Sequence, residues 1–102
     1  MDNQNQQQQI QIKMSDDVLK GSYSNQAIIR NTKDEVIIDF FNYFPGDPNA
    51  IVNNRVILSP AHFKGLIVAL QDHLKKYESQ FEPIKTAAPP EHKFGFDTNK
   101  AQ

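Results

Sequence analysis

Cysteine is absent from this chain of 102 residues. Disulfide staples and thiolate zinc sites are excluded with it. Glycine occurs only four times, at Gly21, Gly46, Gly65 and Gly95, too scattered for the clustered glycines of a phosphate-cradling loop. No apolar run approaches the roughly 20 residues of a membrane span. The first residues carry no basic-then-apolar leader pattern, so a cytoplasmic protein with no membrane association is expected. Charge of one sign is missing too. A net charge of −1 provides no bulk attraction to nucleic acid or to anionic lipid.

Chemical constellations are equally scarce. The three histidines are His62, His73 and His92. On a helix the first two would share an azimuth but stand about 16 Å apart along the axis, too far to share a metal. No Ser-His-Asp arrangement or G-x-S-x-G elbow is present, which leaves nucleophilic catalysis without support. No catalytic residue, cofactor site or metal site is therefore assigned, and an enzyme is not expected. Asp39 is the one polar residue set among bulky apolar ones, in Val36-Ile37-Ile38-Asp39-Phe40-Phe41. It reads either as a buried acid with a raised pKa or, as such residues more often are, as the cross-strand partner of Arg55.

What is present organises the chain. Residues 1–9 are a glutamine- and asparagine-rich run, and residues 85–102 hold few apolar side chains besides Phe94 and Phe96. Neither end can offset the entropy of being ordered, so both are expected to be disordered around a single domain at 10–84. Ile10, Ile12 and Met14 alternate with Gln11 and Lys13, the period-two mark of a strand. Residues 21–30 read as a second strand, Val36–Phe44 as a third and Ile51–Leu58 as a fourth, with turns at Asn31–Asp34 and Pro45–Asn49. Ser59-Pro60 then supplies an N-cap and a first helical residue. Phe63, Ile67, Leu70, Leu74, Tyr77 and Phe81 form one stripe along a helix that Pro83 stops. The expected fold is α+β, a four-stranded antiparallel sheet followed by one long helix packed on one face.

Two features point to self-association. The third strand is apolar on both faces, Val36, Ile38, Phe40 and Phe44 against Ile37, Phe41 and Tyr43, and a single helix covers only one. Behind the stripe, the helix carries Ala61, Gly65 and Val68 where charge is expected, and a mid-helix glycine costs about 1 kcal/mol relative to alanine. Ile37, Phe41, Tyr43, Ala61, Gly65 and Val68 are thus the candidate interface residues. The expected function is a non-enzymatic interaction or assembly module, chaperone-like or an adaptor, acting as a homodimer or other small homo-oligomer with a protein partner. The alternative is a nucleic-acid-associated regulator that stacks bases on Tyr23, Phe40, Phe41, Tyr43 and Phe44 and holds phosphates with Lys64, Lys75 and Lys76. Asp72 and Glu78 interleave with those lysines, as on an ordinary solvated helix face.

Several separate motifs carry a resemblance. Gly21-x-Tyr23-x-Asn25, Asp39-Phe40, Arg55-Val56-Ile57-Leu58-Ser59-Pro60-x-His62, Leu70-Gln71 and Lys76-Tyr77-Glu78-x-x-Phe81 resemble, in order and spacing, a family of short prokaryotic proteins. That family is known only as a domain of unknown function, numbered in the mid three-thousands. The similarity spans Ile10 to Ile84 and departs at Glu82, where such sequences usually have glycine, which touches only the helix end. The family implies no activity and transfers no site residue. The architecture is also similar to that of the secretion chaperone SecB, an analogy of fold alone.

Overall fold

The computed structural model describes residues 8–86. The expectations of disorder therefore lie mostly outside the described residues, as do His92, Phe94 and Phe96. The element order is α1 (Asp16–Lys20), β1 (Gln26–Asn31), β2 (Val36–Phe41), β3 (Val52–Leu58) and α2 (Pro60–Gln80). The three strands form one antiparallel sheet with β2 in the centre. The fold is α+β, as expected from the order of apolar patterns.

A fourth strand is not formed among the described residues. Ile10–Met14 is irregular, and Ile10 and Ile12 stand 82% and 89% exposed. Alternation makes a segment fit for a strand, but a strand exists only where an edge lies alongside it. Ser15 caps α1 by accepting from the Val18 amide, and Gly21 ends it at φ 76 and ψ 174, a conformation essentially restricted to glycine. Asp17 and Val18 of α1 stand across a cleft from Phe40 and Val56.

The β1–β2 hairpin closes on Thr32, whose Oγ1 accepts from the amides of Asp34 and Glu35 at 3.2 and 3.1 Å. Register pairs Ile29 with Ile38, Ile38 with Val56 and Val36 with Leu58 on one face, and Ile37 with Ile57 and Asp39 with Arg55 on the other. Between Phe40 and Phe41 the partner on β3 jumps from Asn54 to Val52, a bulge that leaves Asn53 unmatched. Val36, Ile38 and Phe41 are the buried apolar residues among those described.

The Ser59-Pro60 start of α2 matches its sequence reading, with Ser59 Oγ accepting from the His62 amide at 3.1 Å. Packing of that helix on one face of the sheet does not. No residue of α2 is buried; only Phe63, Leu66 and Glu78 are even half-covered. The two elements also differ in length. Twenty-one residues make about 31 Å of helix, whereas a seven-residue strand such as β3 is about 23 Å long. Ser59 is the single residue between the two elements.

Candidate interaction surface

The strands place Asp39 at the middle of β2, opposite Arg55 on β3 and one diagonal step from Arg30 on β1. Its side chain is fully buried. Arg55 donates to it through Nε and Nη2, at 2.6 Å to Oδ1 and 2.8 Å to Oδ2, the fork geometry that suits a guanidinium to a carboxylate. Arg30 Nη2 stands 3.5 Å from Oδ2. The Arg55 hydrogen bonds, helped by the charges of Arg55 and Arg30, hold the Asp39 carboxyl below the ordinary aspartate value and outweigh the opposing effect of burial. Asp39 also holds the Arg55 guanidinium above its ordinary value. The reading of Asp39 as an acid with a raised pKa is therefore corrected. It is an ionised cross-strand pin that locks register across all three strands.

Beyond the sheet's far end lies a polar clasp that the sequence reading missed. Asn25 pairs with residue 43 as a strand rung would: Nδ2 donates to the Tyr43 carbonyl at 3.0 Å, and Oδ1 accepts the Tyr43 amide at 2.9 Å. The Asn25 amide in turn donates to Asn42 Oδ1 at 3.0 Å. Asn42 and the bulged Asn53 both donate to the Tyr23 carbonyl, at 2.9 and 3.1 Å. Ser24 Oγ donates to the carbonyls of Gln26 and Phe41. These side chains satisfy backbone groups where the ladder ends. The signal available in the sequence was an asparagine or serine bordering each apolar strand segment.

The candidate interface residues separate. Phe41 is buried inside the chain, Ile37 and Tyr43 are half-buried, and Ala61, Gly65 and Val68 are exposed. A Cβ built on Gly65 meets nothing within 4 Å, so no neighbouring backbone in the chain accounts for this glycine. The larger finding is the stripe itself. Ile67, Leu70, Leu74, Tyr77 and Phe81 are 38%, 59%, 46%, 43% and 63% exposed, with the Tyr77 and Phe81 rings 4.9 Å apart. Val68 is open as well, so Leu66–Leu70 is an apolar run of five with one half-covered member. At about 100° per residue such a run extends past the stripe around the helix, with Val68 off the stripe's own face.

The sheet's more apolar face adds an open cleft of about 880 Å³ between α1 and the strands, lined in part by Val18, Ala27, Phe40, Asn54 and Val56. The strand aromatics do not make one stacking platform. Phe40 and Phe41 lie on opposite faces by register, and Phe41 is buried. Among the described residues, no three histidine, aspartate or glutamate side chains come together to hold a metal ion. No helix among them is long and apolar enough to cross a membrane.

A family model described as "Protein of unknown function (DUF3467)" matches residues 1–86. No curated protein and no solved structure matches the chain. The chain belongs to the DUF3467 family, and the motifs that carried the resemblance have visible structural work: Gly21 turns the chain, Asn25 closes the clasp, Asp39 and Arg55 pin the register and Ser59 caps α2.

Proposed function

We propose that this DUF3467 member is a non-enzymatic interaction and assembly module, a small homo-oligomer whose apolar surfaces are covered by another copy of itself. One observation carries the reading: a 21-residue helix with a continuous apolar stripe has no buried residue. A long apolar stripe on a helix is stable in water only when something covers it. The chain's own sheet does not surround it. Among the described residues, Val36, Ile38 and Phe41 make a small core for a domain of roughly 75 residues, where a single core is already marginal. Association supplies the missing burial and makes folding and assembly one event.

The candidate contact surfaces are the stripe of α2, its back at Ala61, Gly65 and Val68, and the sheet side at Ile37 and Tyr43. An adaptor or chaperone-like hold on another protein is the wider use of whichever apolar face the oligomer leaves open. Sedimentation velocity over a low to high micromolar range tests the reading. The expected species is a dimer or larger; a folded monomer of 11.7 kDa throughout would sink it.

A further inference from the structure

We infer that the second copy docks antiparallel along the α2 stripe, so that two α2 helices form a short two-stranded coil between the two sheets. This rests on the assembly reading above and adds its geometry. The stripe positions 63, 67, 70, 74, 77 and 81 follow the alternating four-three spacing of heptad seams. Reversed, the spacing is unchanged. An antiparallel copy therefore sets Phe63 against Phe81, Ile67 against Tyr77 and Leu70 against Leu74, each pair occurring twice about a two-fold axis at the height of residue 72. The end layers are aromatic on aromatic and the middle layers leucine on leucine.

Charge selects the same arrangement. In an antiparallel coil, the positions that follow Phe63, Leu70 and Tyr77 flank their own counterparts in the other helix. They are Lys64, Gln71 and Glu78, so the order lysine, glutamine, glutamate meets glutamate, glutamine, lysine. Lys64 of each helix faces Glu78 of the other. Glu78 Oε2 accepts the Ile84 amide at 2.7 Å within the chain, which braces its carboxylate at the end of the helix and leaves Oε1 to meet the lysine. A parallel coil would set Lys64 against no acidic residue, since flanking positions there pair with a five-residue offset. It would also crowd the sheets. Each is joined to the start of α2 by Ser59 alone and is about 14 Å wide at three strands, whereas coiled helices lie about 8–10 Å apart. The antiparallel coil separates the two sheets by the length of the helix.

Gly65 falls on the outer side of this coil, away from the seam. That makes the inference separable from a contact through the back of the helix.

The absence of cysteine makes engineered disulfides a clean test on the full chain. Mixing Ile67→Cys protein with Tyr77→Cys protein under mild oxidation is expected to yield the mixed cross-linked dimer, while Tyr77→Cys alone yields little. Efficient cross-linking of Tyr77→Cys to itself would mean a parallel pair. No cross-link in any combination, from a protein that still sediments as an oligomer, would place the interface elsewhere. Either result overturns the geometry and leaves the assembly reading standing, whereas a monomer at every concentration removes both. A second set keeps the seam intact. Lys64→Glu and Glu78→Lys are each expected to weaken self-association on the order of tenfold, and the double variant to restore it. Gly65→Glu is expected to leave the dimer unchanged. Failure of the double variant to rescue, or loss of the dimer with Gly65→Glu, refutes the antiparallel seam.

Discussion

Replacing Asp39 by asparagine tests the centre of the sheet. The carboxylate accepts two charge-assisted hydrogen bonds from Arg55, at 2.6 and 2.8 Å, and has Arg30 3.5 Å away. An amide keeps one acceptor and turns an N–H toward a guanidinium that has only donors. Breaking a buried ion pair costs about 3–5 kcal/mol because a charge is stranded. Here the group that loses its carboxylate partner is Arg55, whose side chain remains 48% exposed and can rehydrate, so that cost is discounted. The expected loss is about 1.5–3 kcal/mol, the range of hydrogen bonds to charged groups. Urea denaturation followed by circular dichroism at fixed protomer concentration measures it. The pH dependence supplies a second check. The folded-state pKa of Asp39 lies below the ordinary value of 3.8. Its stabilisation is therefore fully present above that unfolded value and is lost as pH falls through the folded one. The gap between native protein and Asp39→Asn should be constant near neutrality and close only in strong acid. A gap below about 0.5 kcal/mol at neutral pH, or one that persists in acid, would refute the assignment of Asp39 as an ionised pin.

Leu70→Ala separates an isolated chain from an assembled one. With Leu70 at 59% exposure, it should cost under about 1 kcal/mol in a monomer but about 2–5 kcal/mol where a second copy buries it, read as a fall in a thermal midpoint that itself rises with protein concentration. Asn25→Ala removes the side-chain rung to Tyr43 and is expected to cost about 1–2 kcal/mol, with faster hydrogen exchange at the Tyr43 amide; unchanged exchange there would dismiss the clasp. Ser59→Ala should cost about 0.5–2 kcal/mol through the lost bond to the His62 amide, measured by the same urea titration. Gly65→Ala, at a position where a Cβ meets nothing within 4 Å in the chain, is expected to stabilise by up to about 1 kcal/mol through helix propensity. Destabilisation would instead reveal another backbone packed against the back of α2.

Local signals in the sequence settled what several stretches would become. The β-branched and aromatic run at Val36–Phe41 is a strand because its side chains fit a pleated surface, and Ser59-Pro60 opens α2 because capping is a matter of adjacent atoms. The Asp39–Arg55 pair was legible as well: one acid within an apolar strand needs a partner, and the neighbouring strand offered an arginine. What depended on distant chain was not legible. Ile10–Met14 alternates as a strand does but has no edge beside it, and Asn25 looks like any turn residue until the bulge at Asn53 and the end of β2 bring their polar groups to it. The stripe of α2 announced its need for burial from spacing alone. Whether the sheet of the same chain could meet that need was decided by the tertiary structure. In the folded chain α2 has no buried residue and does not pack on the sheet it was expected to cover. Pattern determines which residues must leave water; only the arrangement in space determines what is there to receive them.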